Sequence, residues 1–328
     1  MATDKKQLEA ARKALSTLET KLARALPPGS CTVFLHSKAG RDKAEHWKRV
    51  KFDAALAKSF RTGVATALKR RLDAKDEVEP YSYDDMVSGH VGFWPQDEDK
   101  TIKDWFDEIP DANWPHIFEG DPKFLGRVNF HATVIPLDGK TLTVFRHRGS
   151  GSLIRKGGLM AVFDTTSHQF KEMDGKIFHF DHGADFILWD GFVFILDHKR
   201  FESLTHIRDL TIAKATTALE GVEKRKDIEV ENIDDLIAKV SQKPLLARRL
   251  ASAEQMGVLG ALTGKAMVER IKTLKLPLKH KKVDGVYQFE IDPENPTEVQ
   301  EFVNLITDYY LHSPLTDKEY RVPSKYPN

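Results

Sequence analysis

The sequence predicts an α+β fold: an N-terminal helical lobe led by a coiled-coil helix, a central, mostly antiparallel β-sheet, and a helical C-terminal part. Three patterns predict it. Apolar residues recur at helical spacing through residues 5–72, residues 127–197 break into short alternating runs separated by Gly and Asp turns, and helical spacing returns after Phe201. Strands are grouped rather than alternated with helices, which is the α+β order. A chain of 328 residues with 41% hydrophobic and 30% charged residues buries a full core. Its expected organisation is an N-terminal oligomerisation helix (1–26), a helical lobe with a basic helix and an acidic segment (27–121), and an α+β domain (122–328).

Residues 5–26 place Leu8, Leu15 and Leu22 at one heptad position and Ala11, Leu18 and Ala25 at another, a short coiled-coil seam for self-association. Packing of the same stripe on its own domain is the alternative, because about three heptads make a weak coiled coil alone. Pro27, Pro28 and Gly29 end the helix. Cys31 to Leu35 is a β-prone run, and residues 43–72 then read as one long helix with Trp47, Val50, Ala54, Phe60, Val64 and Leu68 as its apolar stripe. Between Pro80 and Pro122 the pattern breaks around a short helix at 102–109 and marks the lobe boundary. Strands are expected at 128–136, 141–146, 159–163, 176–180, 185–189 and 192–197, with Asp190-Gly191 suited to a two-residue type I′ turn. Helices at 244–256 and 258–274, a strand at 286–291 and a helix at 297–311 complete the chain.

The formal net charge of +1 conceals segregation. Residues 38–71 carry eleven Lys/Arg against three acids, and residues 73–121 carry fifteen acids against three lysines. Residues 123–156 hold seven bases and one acid, and residues 265–282 hold seven bases with Glu269 as the one acid. Blocks of opposite sign either pair with each other as solvated salt bridges or leave a basic surface for a polyanion such as double-stranded DNA. The candidate DNA-binding residues are Lys48, Arg49, Lys51, Lys58, Arg61, Lys69, Arg70 and Arg71 on the basic helix, then Arg146, Arg148, Arg155 and Lys156 around the Gly/Ser run 149–152, and Lys279, Lys281 and Lys282. Backbone N–H groups and cations around such a run hold phosphate together, although the P-loop spacing is absent and a solvated hairpin tip is the alternative.

No apolar run approaches the ~18 residues that cross a bilayer, and no secretory h-region precedes the first helix. The single cysteine, Cys31, supplies neither a disulfide nor a cysteine-based zinc site, so the cytoplasm is the expected setting.

Two clusters bear on catalysis. His179, Asp181, His182 and Asp185 are metal-donor types within seven residues, but they match no complete metal motif and also read as a polar turn. Asp185 with Asp197-His198-Lys199 is similar to the D…(D/E)xK pattern of metal-dependent nucleases. A two-residue turn at Asp190-Gly191 sets Asp185 opposite Leu196 and sends Asp197 and Lys199 to the other side of the sheet, unless a β-bulge shifts the register. No catalytic residue, metal or cofactor is therefore assigned. A metal-dependent nuclease and a scaffold that binds only proteins are the alternatives.

Residues 120–328 carry a family resemblance. It rests on Thr143-Val144-Phe145-Arg146 with Leu153-Ile154-Arg155-Lys156, on residues 185–196 with Phe201-Glu202, and on Asp308-Tyr309-Tyr310-Leu311-His312-Ser313-Pro314-Leu315-Thr316 with Tyr320 and Ser324-Lys325. On these runs the chain resembles the KwaB proteins of the Kiwa anti-phage defence system, first catalogued as a domain of unknown function. The resemblance implies a cytoplasmic DNA-binding defence protein, a homo-oligomer that works with a KwaA-like membrane protein at the inner face of the membrane. It supplies no catalytic motif, so the candidate binding residues rest on charge alone.

Overall fold

The structure is a computed structural model that describes residues 2–24, 29, 31–37, 43–75, 77–81, 83, 89–97, 99–148, 153–154, 161–164, 169–172, 177–178, 180–205, 207–313 and 318–321. Two compact units divide the chain, residues 1–80 with 88–205, and residues 81–87 with 206–328. The α+β class holds, with a mostly antiparallel sheet.

The first unit begins with α1 (Ala2–Ala23), β1 (Thr32–Ser37), α2 (Lys43–His46), β2 (Trp47–Val50) and α3 (Ala54–Asp73). It continues through β3 (Val78–Pro80), β4 (Val91–Pro95), α4 (Lys100–Asp107), α5 (Pro122–Arg127), β5 (Val128–Leu137) and β6 (Lys140–His147). The short strands β7 (Leu153–Ile154), β8 (Ala161–Asp164), β9 (Gln169–Glu172) and β10 (Ile177–Phe178) precede β11 (Phe186–Trp189), β12 (Phe192–Ile195) and α6 (His198–Leu204). Eight strands form one sheet in the order β2-β1-β5-β6-β11-β12-β4-β3, in which only β3 and β4 run parallel. The stretch expected as a lobe boundary thus contributes β4 to the interior of this sheet.

The turns behave as their residues require. Asp138-Gly139 and Asp190-Gly191 both take positive φ at each position, the type I′ condition, and close the β5–β6 and β11–β12 hairpins. Trp189 faces Phe192 and Phe186 faces Ile195, the register expected from a two-residue loop. Between β6 and β11 in sequence lie two separate antiparallel pairs, β7 with β10, where Ile154 opposes Ile177, and β8 with β9, where Phe163 opposes Phe170.

One correction concerns the long helix expected over 43–72. Residues 47–50 are instead an edge strand, because Trp47 to Val50 pair antiparallel with β1, a non-local interaction that helical periodicity does not register. Asp53 then starts α3 by accepting a hydrogen bond from the Leu56 N–H at 2.8 Å.

The sheet is covered on both faces. Val33, Ile135, Leu142, Val144, Ile187 and Phe194 pack against Leu15, Leu18 and Leu22 of α1 and Phe60, Val64, Leu68 and Leu72 of α3. The stripe that reads as a coiled-coil seam is thus buried in its own unit, with Leu18 fully inaccessible. The Trp189 indole N–H fixes α1 further by donating to the Ala14 carbonyl at 3.0 Å. On the other face, Trp105 and Phe106 of α4 meet Phe145 and Phe186, whose rings stack 4.5 Å apart.

The second unit holds α7 (Ile207–Glu223), β13 (Ile228–Glu231), α8 (Ile233–Ser241), α9 (Pro244–Gln255), a 3-10 turn (Val258–Ala261) and α10 (Gly264–Leu274). It closes with β14 (Lys279–Val283), β15 (Val286–Glu290), α11 (Pro296–Ile306), β16 (Tyr310–Ser313) and β17 (Lys318–Arg321). Its core joins Leu219, Leu236, Leu250 and Phe302 to Val230 and Phe289 of a three-stranded sheet ordered β13-β15-β14.

Because Leu18 anchors α1 in this core, Leu18→Ala should lower unfolding stability by about 2–5 kcal/mol in a urea titration, while Lys13→Ala on the exposed face changes it by less than about 0.5 kcal/mol. A leucine engaged only in a contact between chains would instead leave a dilute chain's stability unchanged.

Candidate nucleic-acid interface

Since α1 and α3 spend their apolar stripes on one sheet face, their polar residues form the outer surface of that layer. Lys5, Lys6, Arg12 and Lys13 on α1, and Lys58 and Arg70 on α3, are exposed there. None of the six has an ion-pair partner among the described residues. Exposed Glu9 lies one turn from Lys5, Lys6, Arg12 and Lys13 without forming an ion pair among the described residues, Asp73 holds Lys69 at 2.5 Å, and burial, followed by repulsion from Asp73, raises the Glu19 carboxyl above its ordinary range.

The other cations expected on a basic helix have different surroundings. Lys48 and Arg49 lie on β2 and Lys51 just after it, with Lys51 exposed and Lys48 half-buried. The Arg49 guanidinium donates to the Ala112 carbonyl at 2.8 Å, and its backbone bridges the 116–118 segment. Arg61 is buried at 5% exposure, donating to the Pro136 carbonyl at 3.4 Å. Arg71 donates to the Leu196 carbonyl at 3.1 Å and lies 3.9 Å from Asp197. Non-local carbonyls, more than the acidic stretch that follows, occupy these cations.

Arg146 is the most committed of all. Its Nη1 donates to Asp185 Oδ1 at 2.6 Å and its Nε to Asp181 Oδ2 at 2.7 Å, with Nη2 on the same Asp181 oxygen. Asp185 is completely buried, and its second oxygen accepts the His147 backbone N–H at 2.6 Å. A phosphate at Arg146 would have to displace two carboxylates. Arg148, half-buried, donates to the Leu125 carbonyl at 2.8 Å. Arg155, Lys156, the Gly/Ser run 149–152 and His179 lie outside the described residues.

The 180–185 segment is built around this cluster. A Cβ on Gly183 would lie 2.9 Å from the Arg146 guanidinium, and one on Gly63 of α3 would lie 2.8 Å from the His182 ring, so both positions need the small residue. The Asp181 carboxyl lies below its ordinary range: burial pushes it up, but the Gly183 N–H and Arg146 outweigh that. Beside them His131 is buried, and desolvation lowers its pKa to about 4 against the opposing pull of Asp181.

These contacts also account for the nuclease-like spacing. Both Asp185 oxygens are engaged, and Asp197 caps α6 by accepting from the Arg200 N–H at 3.0 Å. The Asp185 carbonyl accepts from both the Leu196 and the Asp197 N–H, at 2.9 and 2.8 Å, a local irregularity of the bulge type. Lys199 is exposed on α6. Among the described residues no group of three or more His, Cys, Asp or Glu side chains could hold a metal ion.

In the second unit, Lys279, Lys281 and Lys282 lie on the edge strand β14. Lys279 is 3.6 Å from Glu290, Lys281 is 2.9 Å from Glu231, and the Lys282 ammonium sits 4.7 Å from the Tyr287 ring centroid. Charged residues on an edge strand discourage further strand pairing, and neighbouring acids answer two of these three.

Lys5, Lys6, Arg12 and Lys13 are not among the binding residues expected from the sequence. The signal that singles them out is their grouping opposite the leucine stripe.

The model of the family described as Kiwa protein KwaB-like matches residues 127–316, more than half of the chain. No curated protein and no solved structure matches it.

Asp185→Ala leaves Arg146 paired with Asp181 but takes the acceptor from its Nη1 and from the His147 N–H, and should cost about 1–3 kcal/mol in denaturant unfolding, a loss that added divalent metal does not change. The lowered His131 pKa gives the fold a pH dependence. The unfolded chain binds a proton near the ordinary value of 6.5 and the folded chain only near 4, so stability is full above pH 6.5 and falls as pH drops toward 4. Urea midpoints measured from pH 7 to pH 4 should show this decline, on the order of 3 kcal/mol, and His131→Asn should flatten it.

Proposed function

The chain belongs to the Kiwa protein KwaB-like family, and from that premise we propose that it binds double-stranded DNA largely without sequence specificity, through phosphate contacts from the outer surface of the α1–α3 layer. Family membership carries the assignment to Kiwa anti-phage defence. The observation that carries the DNA reading is the set of exposed cations Lys5, Lys6, Arg12, Lys13, Lys58 and Arg70 on one helical layer, without ion-pair partners among the described residues.

Such a surface neutralises phosphates and releases their counterions whatever the base sequence. Defence then follows from occupying phage DNA. In this reading the Arg146 cluster holds the architecture and leaves phosphate binding to the layer. A KwaA-like membrane protein and further copies of the chain complete the complex at the inner face of the membrane. No described helix is long and apolar enough to cross a bilayer, so the proposed partner supplies the attachment. Self-association in this account uses a surface other than the leucine stripe of α1, which the sheet already covers.

A salt titration of duplex binding tests the proposal. Replacing Arg12, Lys13, Lys58 and Arg70 by Gln together should weaken duplexes of unrelated sequence alike and flatten the plot of log affinity against log salt by about 0.9 for each phosphate no longer neutralised. An unchanged slope would overturn it.

A further inference from the structure

A second surface of the first unit combines cations with incompletely buried aromatic rings. Phe118 and Phe124 pack beside Leu35, Leu125 and Val128, with ring centroids 6.0 Å apart and planes inclined by 35°. Phe180 joins the same cluster and meets Phe52 edge-on at 5.2 Å. All four phenylalanines are half-buried rather than part of the closed core. Scattered exposed rings are ordinary on a protein surface, whereas a contiguous group marks a contact site.

The rim is positive. Lys123 and Arg127 are exposed, and their i,i+4 spacing on α5 puts them on one side of that helix, beside Phe124. Lys48 lies directly opposite Leu35 in the β1–β2 register, and exposed Lys51 follows Val50, which itself packs in the cluster. None of these four cations has an ion-pair partner among the described residues. Nearby acids are partly engaged: Asp53 and Asp121 cap α3 and α5, and Glu119 is exposed.

We propose that this aromatic and basic surface around α5 and β2 binds unpaired nucleotides, with bases stacking on Phe124 and its neighbours while Lys48, Lys51, Lys123 and Arg127 meet the phosphates. A duplex keeps its base faces inside the stack, so half-buried rings gain little from it; a single strand presents both a π face and a charged backbone. The proposal rests on the nucleic-acid reading for its ligand class and uses four cations other than those assigned to the α1–α3 layer.

The test is a fluorescence-anisotropy titration of the full chain with an oligothymidine of about fifteen nucleotides and with a duplex of the same length. Phe124→Leu keeps an apolar side chain and removes the ring. It should weaken oligothymidine binding roughly tenfold and leave duplex binding within about twofold. Lys123→Gln with Arg127→Gln should weaken the single strand and lower its salt dependence. If those two substitutions weaken binding while Phe124→Leu does not, the surface is a general polyanion site and the stacking proposal falls.

Should Phe124→Leu fail to fold by thermal melting, photocrosslinking the wild-type chain to an oligonucleotide carrying 5-iododeoxyuridine decides the point. Crosslinks at Phe118 or Phe124 support the proposal, and crosslinks confined to other peptides overturn it. Neutralised α1–α3 variants separate the two readings, because they should lose duplex affinity and keep the oligothymidine site.

Discussion

One face of the eight-stranded sheet is an apolar surface running from Val33 to Phe194, and water must be kept from it. α1 and α3 are the elements that cover it, and their leucine and phenylalanine stripes are fully spent in doing so. The remaining faces of both helices must then look outward. Their composition turns a packing requirement into an electrostatic surface, because bases outnumber acids on both. The same constraint removes the α1 stripe from the surfaces that could join one chain to another.

A second constraint sits at the end of the β6–β11 pair, beside Phe145 and Phe186. Asp185 is completely buried, and a lone carboxylate there would be prohibitively costly, so Arg146 and the His147 N–H answer it directly. Asp181 then takes the remaining face of the guanidinium, and Gly183 and Gly63 keep space for the arginine and for His182. A segment rich in imidazoles and carboxylates is thereby explained as an internal brace at the end of β6 and the start of β11. The presence of metal-donor residue types says little until their hydrogen bonds are counted.

What is legible in the sequence is local. Asp190-Gly191 specifies its own turn, and the period of two then fixes the register through Phe186 and Ile195, because a two-residue loop leaves no freedom. The bulge-type contact of Asp197 with the Asp185 carbonyl is one outcome that register allows, but residue types alone do not select it. Trp47 to Val50 read as helix because their spacing fits one, whereas pairing with β1 decides the outcome. β13 escapes a sequence reading for a related reason: Ile228 to Glu231 is short and sits among helices, and its pairing partner β15 is more than fifty residues away in sequence. Charge blocks are visible at once, yet the fates of Arg61, Arg71 and Arg146 depend on carbonyls and carboxylates brought in by distant strands.

Duplex DNA is proposed to lie on the outer side of the α1–α3 layer. Lysine acetylation footprinting of the full chain, with and without duplex and read residue by residue by mass spectrometry, addresses it most directly. Lys5, Lys6, Lys13 and Lys58 should lose reactivity when duplex is added at low salt and regain it at high salt, while Lys279 and Lys281 should not change. Undiminished reactivity of the α1 and α3 lysines in a chain saturated with duplex would contradict it.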